Sequence, residues 1–429
     1  MTRIRNRALL AALLLTSAVY AGPRRRAAAP PPPEAPAEWL AKHAIPLATT
    51  EATGNVDDLA PLAAIVGDAH VVGLGDPTHG MHEHFTAKLR IVQFLVQRMG
   101  FDVLAMEGSF PQFERINAYV QGGSGDVKQL MLPRNGEQLY WFWDTEEFVA
   151  VVEWMRNYNL TRGSKPAIEI VGADMYDGAT AANMVVDYLK GIDPAEGAAA
   201  TDAYTCAHSW VSNEVCSSAL SKTRTIAQQI AAKESDYTAR TSPRAFADAL
   251  HLSNLVTQWL SGTGFMRDVA MGDNVAWAKD HRGSAQKVIY WAHNEHVTRG
   301  SSVYGVITSF TAGSMLAQKF GSDYVNFGGA AGAGQFLTQS RTGQGLTMPS
   351  LTPAGPDDYE TFFHASRAPN IVVPLRDPHP FLGSPHHMRE GGTGEYSDTA
   401  PNGDFLVNLT SRFDAVVFID QTTANKPFP

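Results

Sequence analysis

A short β-branched run that ends at a turn it cannot cross constrains this chain most. His70 to Leu74 (HVVGL) has the apolar character of a buried strand. Gly75-Asp76-Pro77-Thr78-His79-Gly80 cannot continue it, because Pro77 lacks a ladder donor and the glycines favour a turn. From His82 to Arg98, Phe85, Leu89, Val92 and Val96 recur at helical spacing, and Gly100 closes the helix. Phe101 to Met106 is the next strand, ended by Glu107-Gly108. Strand, helix and strand in this order form the unit that links parallel strands.

The pattern recurs. Asp144-Thr145-Glu146-Glu147 has the form of a capping box and opens a helix to Asn157. Ile168 to Gly172 is a strand ending at Ala173-Asp174-Met175, and 244–260 and 266–280 read as helices. Val288 to Trp291 is a strand ending at Ala292-His293-Asn294-Glu295-His296, with later strands at 324–327, 371–375 and 415–419. The alternation predicts an α/β fold, a largely parallel central sheet flanked by helices. Residues 191–243 lack strand signals and read as a helical insertion, either a cover near the site or a structural appendage.

Parallel strands put their C-terminal ends on one edge, where open α/β sheets bind ligands. Asp76 and His79, Glu107, Asp174, and His293 and His296 are expected there. Each also has a plainer role open to it. Asp76 or Asp174 would serve as a cap, Glu107 as a structural ion pair, and His293 and His296 as satisfied core histidines. His79 sits in a turn at a strand end, off any apolar face, whereas His82 and His84 fall on the following helix.

At these residues the chain resembles the erythromycin esterase family. Gly75-Asp76-Pro77-Thr78-His79-Gly80 is similar to its G-E-x-T-H-G loop, Met106-Glu107-Gly108 to its strand-end glutamate, and Trp291-Ala292-His293-Asn294-Glu295-His296 to its W-A-H-N-x-H segment. Lesser similarities are Phe142-Trp143, Gly172-Ala173-Asp174-Met175 and Arg267-Asp268. The resemblance implies a hydrolase on an erythromycin esterase-like scaffold, with a small-molecule ester or macrolide lactone as substrate. It implies His79 as general base, Glu107 and Asp76 as its electrostatic partners, His293 and His296 as further catalytic residues, and Lys88, Asp174 and Arg267 as substrate-binding residues. The loop carboxylate is aspartate where the family usually has glutamate, one methylene shorter, and Lys88 stands where many members carry arginine.

A neutral imidazole that takes a proton from water contributes about 10²–10⁴-fold, and a carboxylate on its other nitrogen fixes the tautomer. No G-x-S-x-G elbow points to a serine nucleophile. A metal version would use His79, Glu107, His293 and His296 around zinc or manganese, and a non-enzymatic version would bind haem or metal with the same histidines; the metal-free hydrolase is preferred. Gly73-x-Gly75 hints at a dinucleotide, but Thr78 fills the third glycine position.

The formal charge of -9 opposes nucleic-acid binding. Arg3, Arg5 and Arg7 precede an apolar run, Ala8 to Val19, too short to span a bilayer, and Val19-Tyr20-Ala21 offers a cleavage site. The expected layout is a signal peptide at 1–21, a disordered Pro/Ala/Arg-rich linker at 22–37 and a catalytic domain at 38–429, giving a secreted or periplasmic protein with no stable membrane insertion. Export favours a disulfide between Cys206 and Cys216.

Overall fold

A computed structural model of the chain describes residues 34–132, 140–208, 214–262, 265–281, 283, 285–300, 310–340, 345–391 and 404–428. The expected signal peptide and most of the linker lie outside these. The linker's last two residues already open a helix, Pro36–His43, with Pro36 in the first turn, where a missing N–H costs nothing.

Eight strands form the central sheet: β1 (Ile45–Pro46), β2 (Val71–Leu74), β3 (Val103–Ser109), β4 (Glu169–Asp174), β5 (Val288–Trp291), β6 (Tyr324–Gly334), β7 (Asn370–Pro374) and β8 (Ala415–Thr422). Their spatial order is β1-β7-β8-β6-β2-β5-β3-β4. From β8 to β4 every neighbouring pair is parallel, whereas β7 runs antiparallel to β8 and β1 to β7. The expected α/β architecture is therefore present, with an antiparallel edge added.

Alternate residues of each strand feed two cores. Val71, Val103, Val171, Val288 and Tyr290 face one; Val72, Leu74, Leu104, Met106, Ile170 and Trp291 face the other. Burial on both faces explains why these strands read as continuous apolar runs. Helices α1 (His82–Met99), α2 (Phe110–Val120) and α3 (Glu146–Thr161) cover the second face, with Phe85, Ile91, Phe113, Phe148 and Met155 turned inward. Each such side chain contributes about 1.5–3 kcal/mol on burial. Thr145 caps α3, its hydroxyl accepting the Phe148 N–H.

On the first face lie α4 (Gly178–Ile192), then α5 (Pro194–Ala203), α6 (Glu214–Ala232) and α7 (Glu234–Arg240), followed by α8 (Pro243–Leu260) and α9 (Phe265–Asp280). The described part of 191–243 is helical, with α5, α6 and α7 as its main elements. It packs on α4 and α8, through Tyr204–Ser253 (2.7 Å) and Thr257–Thr223 (3.2 Å). Cys206 is disulfide-bonded; the sequence's other cysteine, Cys216, has its side chain outside the described residues. No helix among the described residues is long and apolar enough to cross a membrane.

Beyond β8 the chain folds back over the start of α1. Thr423 O accepts the His82 N–H (2.9 Å), Asn425 N–H donates to Gly80 O (2.8 Å), and Lys426 O accepts the Glu146 N–H (2.9 Å).

Candidate active site

Register sets the site. Trp291 pairs with Leu74 on one side and Met106 on the other, so the residues that follow each start from the same level of the sheet. These are Gly75-Asp76, Glu107 and Ala292-His293. Register shifts on β3 between Met106 and Ser109, an irregularity of the kind that re-aims side chains beside active sites.

The 75–80 loop is tied by carbonyls on both sides of His79. Asp76 O accepts the Asn294 N–H, Pro77 O the Gly391 N–H, and Gly80 O the Leu337 and Asn425 N–H groups. Gly80 has φ +82°, and a Cβ there would meet Leu337 O at 2.1 Å. His79 is 4 % exposed, and its ring lies face to face with Phe142 at 3.9 Å. The expectation of a turn position off any apolar surface is thus corrected: the 140–143 aromatic run folds over the imidazole.

Asp76 Oδ2 accepts from Nδ1 of His79 (3.1 Å) and Oδ1 from Nζ of Lys88 (2.8 Å). Burial alone would raise the Asp76 carboxyl, but Lys88 and then His79 hold it at about 2. The aspartate is therefore an anion that accepts the Nδ1–H hydrogen bond, and Nε2 of His79 points toward Glu107, whose Oε2 is 3.8 Å away. Lys88 is itself buried, 4.4 Å from the Trp291 ring centroid; its ammonium serves Asp76 from beneath the loop.

Glu107 and Arg267 form a second layer. Arg267 donates to Glu107 (2.7 Å), to Asp174 (2.8 Å) and to the Tyr140 hydroxyl (2.9 Å). Tyr140 in turn donates to Asp174 (2.8 Å). Burial opposes the ionised form of Glu107, yet His296 and Arg267 keep its carboxyl well below the usual range. His296 lies between two acids, Asp268 at 2.9 Å from Nδ1 and Glu107 at 3.3 Å from Nε2. Burial would lower it and Arg267 repels it, but the two carboxylates push it up to about 10. Arg267 Nη1 also lies 3.0 Å from Nε2 of His296, where both cations converge on Glu107.

His293 is different. Its Nδ1 accepts the Glu295 N–H (3.2 Å), capping the helical turn α10 (Asn294–Val297), so its proton is on Nε2, which donates to Pro77 O (3.1 Å). Burial, then His79, lower it to about 4, so it is neutral. Its backbone N–H donates to Glu107 Oε2 (2.9 Å). His84, on α1, donates from Nε2 to Ala330 O and is also held neutral by burial.

The fold thus brings together Asp76, His79, Lys88, Glu107, Asp174, Arg267, His293 and His296. The four candidate metal ligands do not suit an ion: both nitrogens of His293 and both of His296 are bonded, and Arg267 already supplies positive charge to Glu107. Among the described residues no group of three or more His, Cys, Asp or Glu is arranged to hold a metal. Sequence reasoning missed Tyr140, Tyr176 and the pairing of Asp268 with His296. The run Tyr140-Trp141-Phe142-Trp143, too aromatic for a surface loop, was the available signal.

Comparisons with known proteins bear on the family and the fold. The family profile described as Erythromycin esterase matches residues 96–422, a span that starts after the Asp76–His79 loop. Erythromycin esterase type II of Escherichia coli is 26% identical over 326 residues, 68% of this chain and 76% of that protein. A crystal structure of a Bacillus cereus protein superposes with a TM-score of 0.80 at 25% identity, covering 92% of this chain and 98% of that one. An erythromycin esterase mutant in its open conformation gives a TM-score of 0.67 at 17% identity, over 86% and 94%, a likeness of fold.

Proposed function

This chain belongs to the erythromycin esterase family of hydrolases, and from that premise we propose that it opens a small-molecule ester or macrolide lactone by His79-assisted attack of water. The observation that carries the reading is the Asp76–His79 bond, which leaves Nε2 as the proton acceptor beside Glu107. Water held by Glu107 gives a proton to Nε2 as its oxygen attacks the carbonyl carbon. Asp76, kept ionised by Lys88, favours the imidazolium that forms. The cations Arg267 and His296 stabilise the oxyanion electrostatically. Collapse breaks the bond from the acyl carbon to the alcohol oxygen, and the imidazolium returns its proton to that oxygen.

His293, with both nitrogens bonded, acts by positioning Pro77 and Glu107 rather than by proton transfer. No step uses a metal. The basic, apolar and small-residue order of the first 21 residues supports export to the periplasm or medium.

Purified protein incubated with erythromycin and with simple esters, with and without chelator, tests the reading by mass spectrometry. A gain of one water by the lactone, insensitive to chelator and lost in His79→Asn, is expected. No hydrolysis of any ester would overturn it.

A further inference from the structure

A second cluster of buried charge, which takes no part in the reaction described above, stands beside the catalytic loop. Glu295, Glu390 and Arg412 are all buried. Arg412 donates to both oxygens of Glu390 (3.0 and 3.1 Å), to Glu295 (2.6 Å) and, from Nε, to the Thr298 hydroxyl (3.2 Å). The two carboxyls also hydrogen-bond each other, which requires a proton between them. Burial raises the Glu390 carboxyl, and Glu295 adds to this against the pull of Arg412. One proton, one carboxylate and one guanidinium leave the cluster neutral, the state that a dry interior favours.

The cluster reaches the loop at two successive carbonyls. Asn294 Nδ2 donates to Glu390 Oε1 (3.0 Å), and the same side chain exchanges two bonds with Gly329 of β6 (2.9 and 2.8 Å). Held in this way, Asn294 gives its backbone N–H to Asp76 O (2.9 Å). Glu390 follows the short strand His386–Arg389, and the next residue, Gly391, gives its N–H to Pro77 O (2.7 Å). The loop lies directly on Asn294: a Cβ on Gly75 would meet Asn294 Oδ1 at 2.3 Å.

We infer that Glu390 is a positioning residue for His79. It touches no reacting atom. By holding Asn294 and presenting the Gly391 N–H, it fixes the Asp76 and Pro77 carbonyls, and with them the turn that sets Nε2 of His79 against Glu107. Its effect on rate rests on the hydrolase reading above, whereas its effect on the loop rests on these bonds alone. A fully satisfied buried polar network specifies one arrangement, and a network with a member missing does not. A displacement of about 1 Å at a reacting group costs about 100-fold in rate.

Two variants test this. Glu390→Ala removes the Asn294 acceptor but leaves Arg412 paired with Glu295, so charge balance is kept. Glu390→Gln keeps that acceptor, and its amide N–H donates to Glu295 in place of the shared proton. The first measurement is kcat and KM on erythromycin and on p-nitrophenyl acetate. Glu390→Ala should lower kcat by about 10–100-fold with KM little changed, and Glu390→Gln should recover most of the loss. Wild-type kcat in Glu390→Ala, or a folded Glu390→Gln as impaired as Glu390→Ala, would overturn the inference. The second measurement is hydrogen exchange, read by mass spectrometry without substrate, over residues 74–81 and 292–298. Exchange there should quicken about tenfold in Glu390→Ala and match wild type in Glu390→Gln. Unchanged exchange in Glu390→Ala, or exchange that quickens equally along the whole chain, would also overturn it. If the wild-type protein opens neither ester, the hydrolase reading falls alone and the exchange pattern decides the positioning role.

Discussion

Nδ1 of His79 lies 3.1 Å from Oδ2 of Asp76, three residues earlier in the same loop. One turn thus supplies both the base and the carboxylate that orients it, and the pair's geometry is set by that turn's own anchors. The shorter aspartate reaches His79 and Lys88 together.

His79→Asn should remove hydrolysis by at least the roughly 10²–10⁴-fold typical of a lost general base. Asparagine keeps a donor toward Asp76 and most of the volume beneath Phe142. Near-wild-type circular dichroism with turnover lost is expected; retained turnover would refute the mechanism.

Lys88→Met strands the Asp76 carboxylate in the interior. Breaking a buried pair this way costs about 3–5 kcal/mol, read by urea unfolding, and Lys88→Arg should recover part of it. The sign follows from Asp76, whose folded value of about 2 lies below its unfolded value near 3.9. Its stabilisation is present above about pH 4 and is lost as pH falls through about 2. The wild-type acid limb of the rate profile therefore does not belong to Asp76; in Lys88→Met the acid limb should move upward.

His82 lies outside the reacting groups, 2.7 Å from Glu147 and 3.1 Å from Glu51. Glu147 raises it to about 9, against burial. A raised histidine stabilises fully below its unfolded value of about 6.5 and loses that as pH rises through 9. Thermal unfolding of His82→Gln should show a deficit of about 1 kcal/mol at pH 6, modest because His82 and its Glu51 partner are open to solvent that screens them, and no deficit at about pH 10.

Gly80→Ala should impair both stability and turnover, since φ +82° is strained for alanine and Leu337 O blocks its Cβ. Unfolding and kinetics on one preparation check this. Wild-type behaviour in both would mean the loop has slack that its hydrogen bonds do not suggest.

Most strands were legible because both sheet faces are buried and leave continuous apolar runs. β6 was the exception beyond Phe327, where Gly328 to Gly334 has no β-branched signal. The strand continues because it pairs with β8 out to Gly334–Thr422, and its glycines admit the loop: a Cβ on Gly329 would sit 2.6 Å from Pro77 Cδ. The edge strand β1 is too short to show a period. In the site, Asp76, His79 and Glu107 were legible as strand-end polar residues. The Arg267 hub was known only through resemblance, because its partners Glu107, Asp174 and His296 come from three strand ends far apart in the chain. His79's cover was missed because Tyr140 and Phe142 approach it through tertiary folding, not sequence proximity.

The backfolded residues after β8 carry a consequence for biosynthesis. A ribosome delivers the Asp76–His79 loop early, yet two of its closures, Asn425 N–H to Gly80 O and Thr423 O to the His82 N–H, come from residues made more than 300 positions later. The central position of β8 beside β6 delays the sheet in the same way. The catalytic loop therefore cannot take its working form until residues 423–425 have been made and folded back, so the first turn of the site waits on one of the latest of the described segments.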